Sequence, residues 1–537
     1  MLEQKKWLFS VSLLALTLTG FNKPSGFLVE RFVDPLPTPP TFKFRGKGHS
    51  HLTMRLKEFK LQLHRDLPPV EAFGYDGMSP GPTIEVEAGQ SLTVDWKNEL
   101  PTKHIFEAAS GMDMSAGGPM PPDVRAVTHL HGAVVTQPSK TNVGRNNDGW
   151  PDAWTTAGQV QAAFYGNRQS SRTIWYHDHS NGTTGRNVAA GLAGMYLIRD
   201  SYERSLNLPK GKFEIPLIFQ AQGLKNDGSR YYTNNLSNEF YGNLTSVNGK
   251  ILPFLQVEPR KYRFRVVNAT TARTLGMKLQ EITNLNAKGP AMYQIGTDSG
   301  FLEKTAVLSD PLDSRSPELY LGSGERADVI IDFSKYAGRN FILTNDALTD
   351  PDGEIPDPQL MLFKIGTTLS EPDSSSLPLS LRPLKKLVEK DSSVTRRLIF
   401  VQTEVNGSPM FSIDGKLWND PVSEKPVLGT TEIWELVNPS ILAHPFHIHL
   451  VQFQILDRTP FDLAEYKLSG KVKFIGPPEP PPPSEAGWKD TVLADKRKMT
   501  RIIMKFAPFP GYYVYHCHIL EHEDMGMMRP FEVVRPQ

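Results

Sequence analysis

Histidine dominates the chemistry this chain could perform. Fourteen are present, and ten fall in four short clusters: His129-Leu-His131, His177-Asp-His179, His444-Pro-Phe-His447-Ile-His449, and His516-Cys517-His518 with His522. Each cluster holds a His-x-His pair, and residues i and i+2 of a strand project from one face, so each pair offers two imidazoles to one point. Two pairs lie early in the chain and two near its end. Joined across a domain interface they would supply eight nitrogen ligands. That is too many for one or two tetrahedral zinc sites, which usually also recruit thiolate or carboxylate. It suits three metals with open positions, for which copper, iron, nickel and zinc are all candidates.

A second ligand set decides among them. Cys517 is the only cysteine, so it forms no disulfide within the chain, and a lone thiol is an oxidation liability outside the cytoplasm. Ligation accounts for its presence. His444, Cys517, His522 and Met527 give two imidazoles, a thiolate and a weak thioether, the trigonal set with a long axial donor that defines blue copper. The spacing Cys-x4-His-x4-Met selects Met527 over its neighbours Met525 and Met528. On an extended strand Cys517 faces one side while His516 and His518 face the other. The thiolate can then bind the electron-receiving copper while its covalent neighbours bind the histidine cluster, with a through-bond path of a few residues between them.

Several domains must position these residues. A length of 537 residues, at roughly 150 residues per domain, suggests about three or four. The 44 prolines and 42 glycines break apolar segments such as Leu92–Trp96, Tyr262–Val267 and Glu432–Val437 into short runs, which read as strands of β-sandwiches. Three segments share one layout, a turn ending in Gly followed by strands closing on Asn. They are Tyr75-Asp76-Gly77 with Leu92–Asn98, Val247-Asn248-Gly249 with Tyr262–Asn268, and Ile413-Asp414-Gly415 with Thr431–Asn438. Their glycines lie 172 and 166 residues apart, a period that marks a duplicated domain rather than a solenoid. We therefore expect an all-β chain of three sandwich domains near 45–200, 210–367 and 395–537. The Ser/Pro/Leu-rich stretch Thr368–Ser393 reads as a linker, and the run Gly476–Gly487, with Pro480–Pro483 inside it, as a semi-rigid surface loop serving as a spacer.

A net charge of +1 gives no electrostatic case for a nucleic-acid partner. At the N-terminus, Lys5-Lys6 precede the apolar stretch Trp7–Thr19 and a small/turn segment ending near Gly26. That run is shorter than the ~20 residues needed to span a bilayer and fits a signal peptide over residues 1–26, implying a periplasmic, cell-surface or secreted protein.

With these motifs in view, the sequence resembles the multicopper oxidases, and among them the bacterial spore-coat laccase and bilirubin oxidase branch. The likeness runs from about residue 50 to the end, through Leu63–Pro69, Pro80–Val86, Thr128–Gly132, Trp175–His179, Val257–Asn268, His444–Phe453, Pro480–Thr491 and His516–Pro530. The resemblance implies three cupredoxin-like Greek-key domains holding four copper ions. It assigns His444, Cys517, His522 and Met527 to type 1 copper, and His129 and His447 to type 2. His131, His177, His179, His449, His516 and His518 would hold the type 3 pair. It also places a proton-relay carboxylate at Glu523 and an acid beside type 2 copper at Asp148. The middle-domain disulfide of the spore-coat pattern cannot form here, the insertion Gln137–Asn147 is longer, and Met112–Met120 has no counterpart.

The function implied is laccase-type: one-electron oxidation of phenolic or similar aromatic donors coupled to four-electron reduction of dioxygen to water. Oxidation of Cu(I), Mn(II) or bilirubin is the alternative within oxidases. A blue-copper carrier or copper-sequestering protein would not need four His-x-His pairs. His49 and His51 read as a solvated pair, His64 and His104 as structural, and Met112, Met114 and Met120 as an ordinary loop that could capture Cu(I).

Overall fold

The structure, a computed structural model, describes residues 29–537 apart from 47, 108–120, 138–139, 141–145, 234–238, 314, 348–355 and 406–407. The N-terminal apolar segment and the Met112–Met120 loop lie outside the described residues.

Three pairs of sheets follow one another along the chain. In the first, a five-stranded sheet ordered Thr41–Phe44, Gly81–Glu87, Ala193–Arg199, Arg172–Asp178, Thr128–His131 faces a four-stranded sheet of Val70–Tyr75, His49–Leu61, Ser91–Glu99 and Val160–Tyr165. Ile84, Ile174 and Tyr196 from one sheet meet Phe73, Val94 and Trp96 from the other in a shared core. The second pair centres on Glu214–Leu224, Lys261–Asn268 and Arg326–Asp332 against Leu275–Glu281, Asn340–Asn345 and Gln359–Ile365. The third packs Ser392–Val405, Thr431–Asn438 and Lys498–Lys505 against His444–Ile448, Gly511–Cys517 and Met528–Val533. Burial alternates residue by residue along Ser91–Glu99, as in a strand with one face on a core. Arg172–Asp178 is buried throughout; its second face is covered where Trp175 meets Ile218 and Val267 of the middle sandwich.

The repeated turn has one conformation in all three places. Asp76-Gly77, Asn248-Gly249 and Asp414-Gly415 each carry two successive positive φ angles, which mark the tight primed hairpin turn that Asn/Asp-Gly favours. The strand-closing asparagines also act alike. Asn98, Asn268 and Asn438 are fully buried, and each accepts from the backbone N–H two residues on while donating to distant carbonyls. Each one fixes how the chain leaves its strand. After Asn438, that departure leads directly to His444.

Two departures from the sequence reading bear on the site. The first sheet begins at Thr41, and the segment before it pairs with the middle sandwich through Phe32 and Leu36. The proline-containing loop lies at the surface as expected but is more than a spacer, because contacts on both sides of the prolines anchor it. Gln294 donates to Ser484, Arg458 pairs with Glu485, and Thr297 and Ser299 hold the Trp488 carbonyl. The loop thereby delivers Lys489-Asp490-Thr491 to a fixed place.

The first and second sandwiches are joined by buried charges. Arg265 reaches Glu214 at 2.7 Å, Asp328 at 3.0 Å and also Glu203, while Arg263 and Arg199 share the same carboxylates. Removing one cation strands buried anions, which costs about 3–5 kcal/mol. Arg265→Met should lower the unfolding free energy by that order in denaturant titration, whereas Arg397→Met, which breaks a half-exposed pair with Glu435, should cost about 1 kcal/mol or less.

Candidate metal centres

One centre lies wholly in the third sandwich. His444 opens the strand His444–Ile448, Cys517 ends Gly511–Cys517, and His522 rides the short helix Leu520–Met525. The Nδ1 atoms of His444 and His522 lie 3.4 and 3.8 Å from Cys517 Sγ and 3.3 Å from each other. As the helix ends, Met527 N–H donates to the His522 carbonyl and Cys517 N–H donates to the Met527 carbonyl, drawing the fully buried Met527 beside the cysteine. Burial pushes the Cys517 thiol well above its ordinary range, so its surroundings do not by themselves stabilise a bare thiolate; a cation must. The outer nitrogens have partners too. Ser440 Oγ lies 3.0 Å from His444 Nε2, and Glu239 accepts from His522 Nε2 at 2.7 Å.

The other eight histidines meet between the first and third sandwiches. His129 stands opposite His177 in one sheet, and His447 opposite His516 in the other. Across the junction His129 stacks on His449 at 3.8 Å and His131 on His447 at 3.6 Å, and the Nε2 atoms of His179 and His516 approach to 3.3 Å. His518 joins from beyond the strand end, 5.0 Å from His131 ring to ring. Phe446 is the register partner of Cys517, so the cysteine turns into the third core while His516 turns out of it.

The nitrogens are sorted. Each imidazole places one nitrogen against a protein oxygen. Asp148 serves His129 through its carbonyl and His449 through its carboxylate; the Asp178 carbonyl serves His177, and the Asp490 carbonyl and Thr491 hydroxyl serve His447. Ser323 Oγ lies 3.1 Å from His518 Nδ1, and Glu523 lies 2.8 Å from His516 Nδ1 and 3.5 Å from His179 Nδ1. His131 alone is reversed, with Nε2 on Asp490 and Thr491. An N–H facing an acceptor fixes the tautomer and leaves the opposite nitrogen a free lone pair. Those inner nitrogens face one another, and Nε2 of His129, His447, His449 and His518 is buried with no protein partner. Burial, aided by neighbouring imidazoles, lowers His129, His131, His447, His449 and His518 well below the usual range, keeping them neutral.

The two sequence-selected acids differ. Burial pushes Asp148 up to about 8. At Glu523 burial acts in the same direction, but His516 and His179 outweigh it and hold the carboxyl below its ordinary range. His49 and His51 sit on an exposed strand, His51 against Asp95, while His64 and His104 are buried and hydrogen-bonded to Glu30 and Asn187. Sequence reasoning missed Glu239, Ser323, Asp490 and Thr491. Asp490-Thr491 lies inside a stretch that matched the family, the one signal that could have found it; Glu239 and Ser323 carry none.

Comparison with known proteins agrees with this geometry. Multicopper oxidase family models match residues 124–203 and 392–537. A laccase of Bacillus subtilis (strain 168) is 39% identical over 532 residues, covering 95% of this chain and 99% of that protein. The chain is a multicopper oxidase. A bilirubin oxidase of Albifimbria verrucaria is 33% identical, covering 93% of this chain and 81% of that one. The crystal structure of a laccase from Pediococcus acidilactici superposes with a TM-score of 0.73 at 26% identity, covering 96% of each chain. The three sandwiches are thus cupredoxin-like.

Copper fits the donor sets. Buried neutral imidazoles with inward lone pairs, and a soft sulfur flanked by two nitrogens, are ligands that copper accepts. Fully loaded protein should hold about four copper ions per chain, and stripping them should lower the thermal midpoint, because metal bound only by the native state stabilises it. A plateau near one copper, or a midpoint indifferent to chelation, would break this account of the cluster.

Proposed function

We propose that the chain is a laccase-type oxidase for phenolic or similar aromatic donors, with His444, Cys517, His522 and Met527 holding type 1 copper. His129 and His447 would hold type 2, and His131, His177, His179, His449, His516 and His518 the type 3 pair. Bound copper supplies a one-electron couple at the first centre and open positions for dioxygen at the second. Four donors each give up one electron and one proton, and one dioxygen becomes two waters. The observation that carries this reading is the sequence His516-Cys517-His518, whose middle residue faces one ligand set while its neighbours face the other.

The chain's own residues do the rest. Asp148, pushed up by burial, holds an exchangeable proton beside His449, while Glu523, kept ionised by His516 and His179, is a carboxylate that can accept a proton and pass it on where oxygen reduction consumes it. A small cavity with both polar and apolar walls, lined among others by Tyr241, Ala272, Arg273, Asn345, Leu442 and Ile519, lies beside the His444 segment and is where we place the approach of the donor. Export is part of the proposal, supported by Lys5-Lys6 before Trp7–Thr19; among the described residues no helix is long and apolar enough to cross a membrane.

One observation favours a second reading, oxidation of Cu(I) or Mn(II). Glu239, nearly buried, sits on the outer nitrogen of His522, where a carboxylate attracts a cation. Loss of a charged contact is worth about 1.5–3 kcal/mol, or about tenfold and upward. Under the laccase reading, wild-type kcat/KM should be higher for phenols than for bilirubin, Cu(I) or Mn(II), and Glu239→Gln should alter phenol turnover by less than that factor. Best turnover on a metal ion, lost on Glu239→Gln, would transfer the assignment to the metal oxidases.

A sharper test addresses Cys517. Cys517→Ser replaces a soft thiolate by a hydroxyl, a poor ligand for that centre. The blue absorption should vanish and phenol oxidation should stop, while the eight untouched histidines still take up about three copper ions. Turnover near the wild-type rate would show that electrons arrive by another path.

A further inference from the structure

The middle sandwich contributes none of the proposed copper ligands, yet besides Ser323 on His518 a second of its side chains reaches the back of the histidine cluster. Arg326 is fully buried at the meeting point of all three sandwiches. Its guanidinium grips Asp490 of the third sandwich with both arms, NH1 to Oδ1 at 2.7 Å and NH2 to Oδ2 at 2.6 Å. Nε donates to the Thr173 carbonyl, 3.3 Å away on the first-sandwich strand that also carries His177. The remaining donors reach the carbonyls of Gly324 and Asp298 in its own sandwich.

Asp490 passes this grip to two imidazoles from different sandwiches. Its Oδ1 faces Nε2 of His131 at 3.2 Å, and its carbonyl faces Nδ1 of His447 at 2.8 Å. The Thr491 hydroxyl lies within hydrogen-bond reach of both rings and of Asp490 Oδ1. His131 is also the one ring of the eight presented through Nδ1 rather than Nε2. Without an acceptor behind Nε2 nothing would prefer that orientation.

The space for this arrangement is made by Gly132, immediately after His131. It has a φ of +91°, and a Cβ there would lie 2.7 Å from Arg326 NH2 and 2.8 Å from Asp490 Oδ2. Lys489 beside it is buried too, paired with Asp298 at 3.0 Å and Glu325 at 2.9 Å, so the Asp490 backbone is tied to the middle sandwich independently of Arg326.

We propose that Arg326 is a positioning residue for the trinuclear cluster: by fixing the Asp490 carboxylate, which faces His131 directly and orients the Thr491 hydroxyl beside His447, it sets which nitrogen of each ring faces copper and draws the middle sandwich into that site. The inference rests on the assignment of His131 and His447 as copper ligands. A bidentate guanidinium–carboxylate pair has a geometric specificity that an ammonium cannot reproduce, so charge and geometry can be separated.

The experiment compares wild type, Arg326→Lys, Arg326→Met and Asp490→Asn, each stripped and reloaded with copper. Copper per chain, the blue absorption and the electron paramagnetic resonance spectrum are read alongside turnover. The blue centre lies elsewhere in the third sandwich, so its absorption should stay at the wild-type level in all variants. Copper per chain should fall in Arg326→Met and Asp490→Asn, with a changed or missing type 2 signal. Arg326→Lys should load more than Arg326→Met but show an altered type 2 signal. If Arg326→Met does not fold, Arg326→Lys and Asp490→Asn decide. Wild-type copper content and an unchanged type 2 signal in those variants would overturn the proposal. Failure of the wild type itself to load beyond one copper would instead overturn the ligand assignment.

Discussion

Because a strand throws successive side chains to opposite faces, Cys517 can enter the core of the third sandwich only if His516 leaves it. That alternation ties two metal sites of different character to one segment of chain. The cysteine side is closed off by Phe446, Phe411 and the helix that brings His522 and Met527. The histidine side has no closure of its own and needs a second sandwich to supply His129, His131, His177 and His179. A one-residue slip of Gly511–Cys517 against His444–Ile448 would exchange the two faces and abolish both sites. The dense core around Trp434, Phe446 and Tyr515 therefore protects chemistry as much as stability.

Bringing eight imidazoles together is unfavourable in itself, since unpaired buried nitrogens forfeit their hydration. The protein offsets this on the outer side of most of the rings, where a carbonyl, carboxylate or hydroxyl receives the N–H; at His179 the Glu523 carboxylate stands only 3.5 Å away. Those acceptors come from all three sandwiches, with Asp148 from the first, Ser323 from the second, and Asp490, Thr491 and Glu523 from the third. Desolvation is left concentrated at the inner nitrogens, where copper relieves it. The cost of the empty site and the affinity of the filled one have the same origin.

The sequence displayed the candidate ligands because ligation imposes local spacing. Two imidazoles on one strand face must be two residues apart, and Cys517, His522 and Met527 lie within one short helix and its ends. The domain repeat was legible for a similar reason: an Asp/Asn-Gly turn and an Asx-capped strand end are local conformations with few solutions. Positions such as Ser323, Arg326 and Glu239 answer to neighbours far away in the chain, and an arginine in an ordinary strand pattern looks the same whether it is solvated or buried against Asp490. The proline run misled in the opposite direction. Its composition signals a spacer, and only the contacts at Ser484, Glu485 and Trp488 reveal that it holds Asp490 in place.

The lone-pair halves of the cluster are far apart in time as well as in sequence. A ribosome releases His129 through His179 some 265 residues before His444, so a nascent first sandwich presents four imidazoles on a face with nothing opposite. Any soft cation met at that stage finds half a site, held without the Asp490 and Thr491 contacts that choose the nitrogen of His131. Faithful metallation thus favours delivery of copper to the finished chain, after the third sandwich has docked, and makes the order of synthesis, docking and metal supply part of how this enzyme comes to contain the right metal.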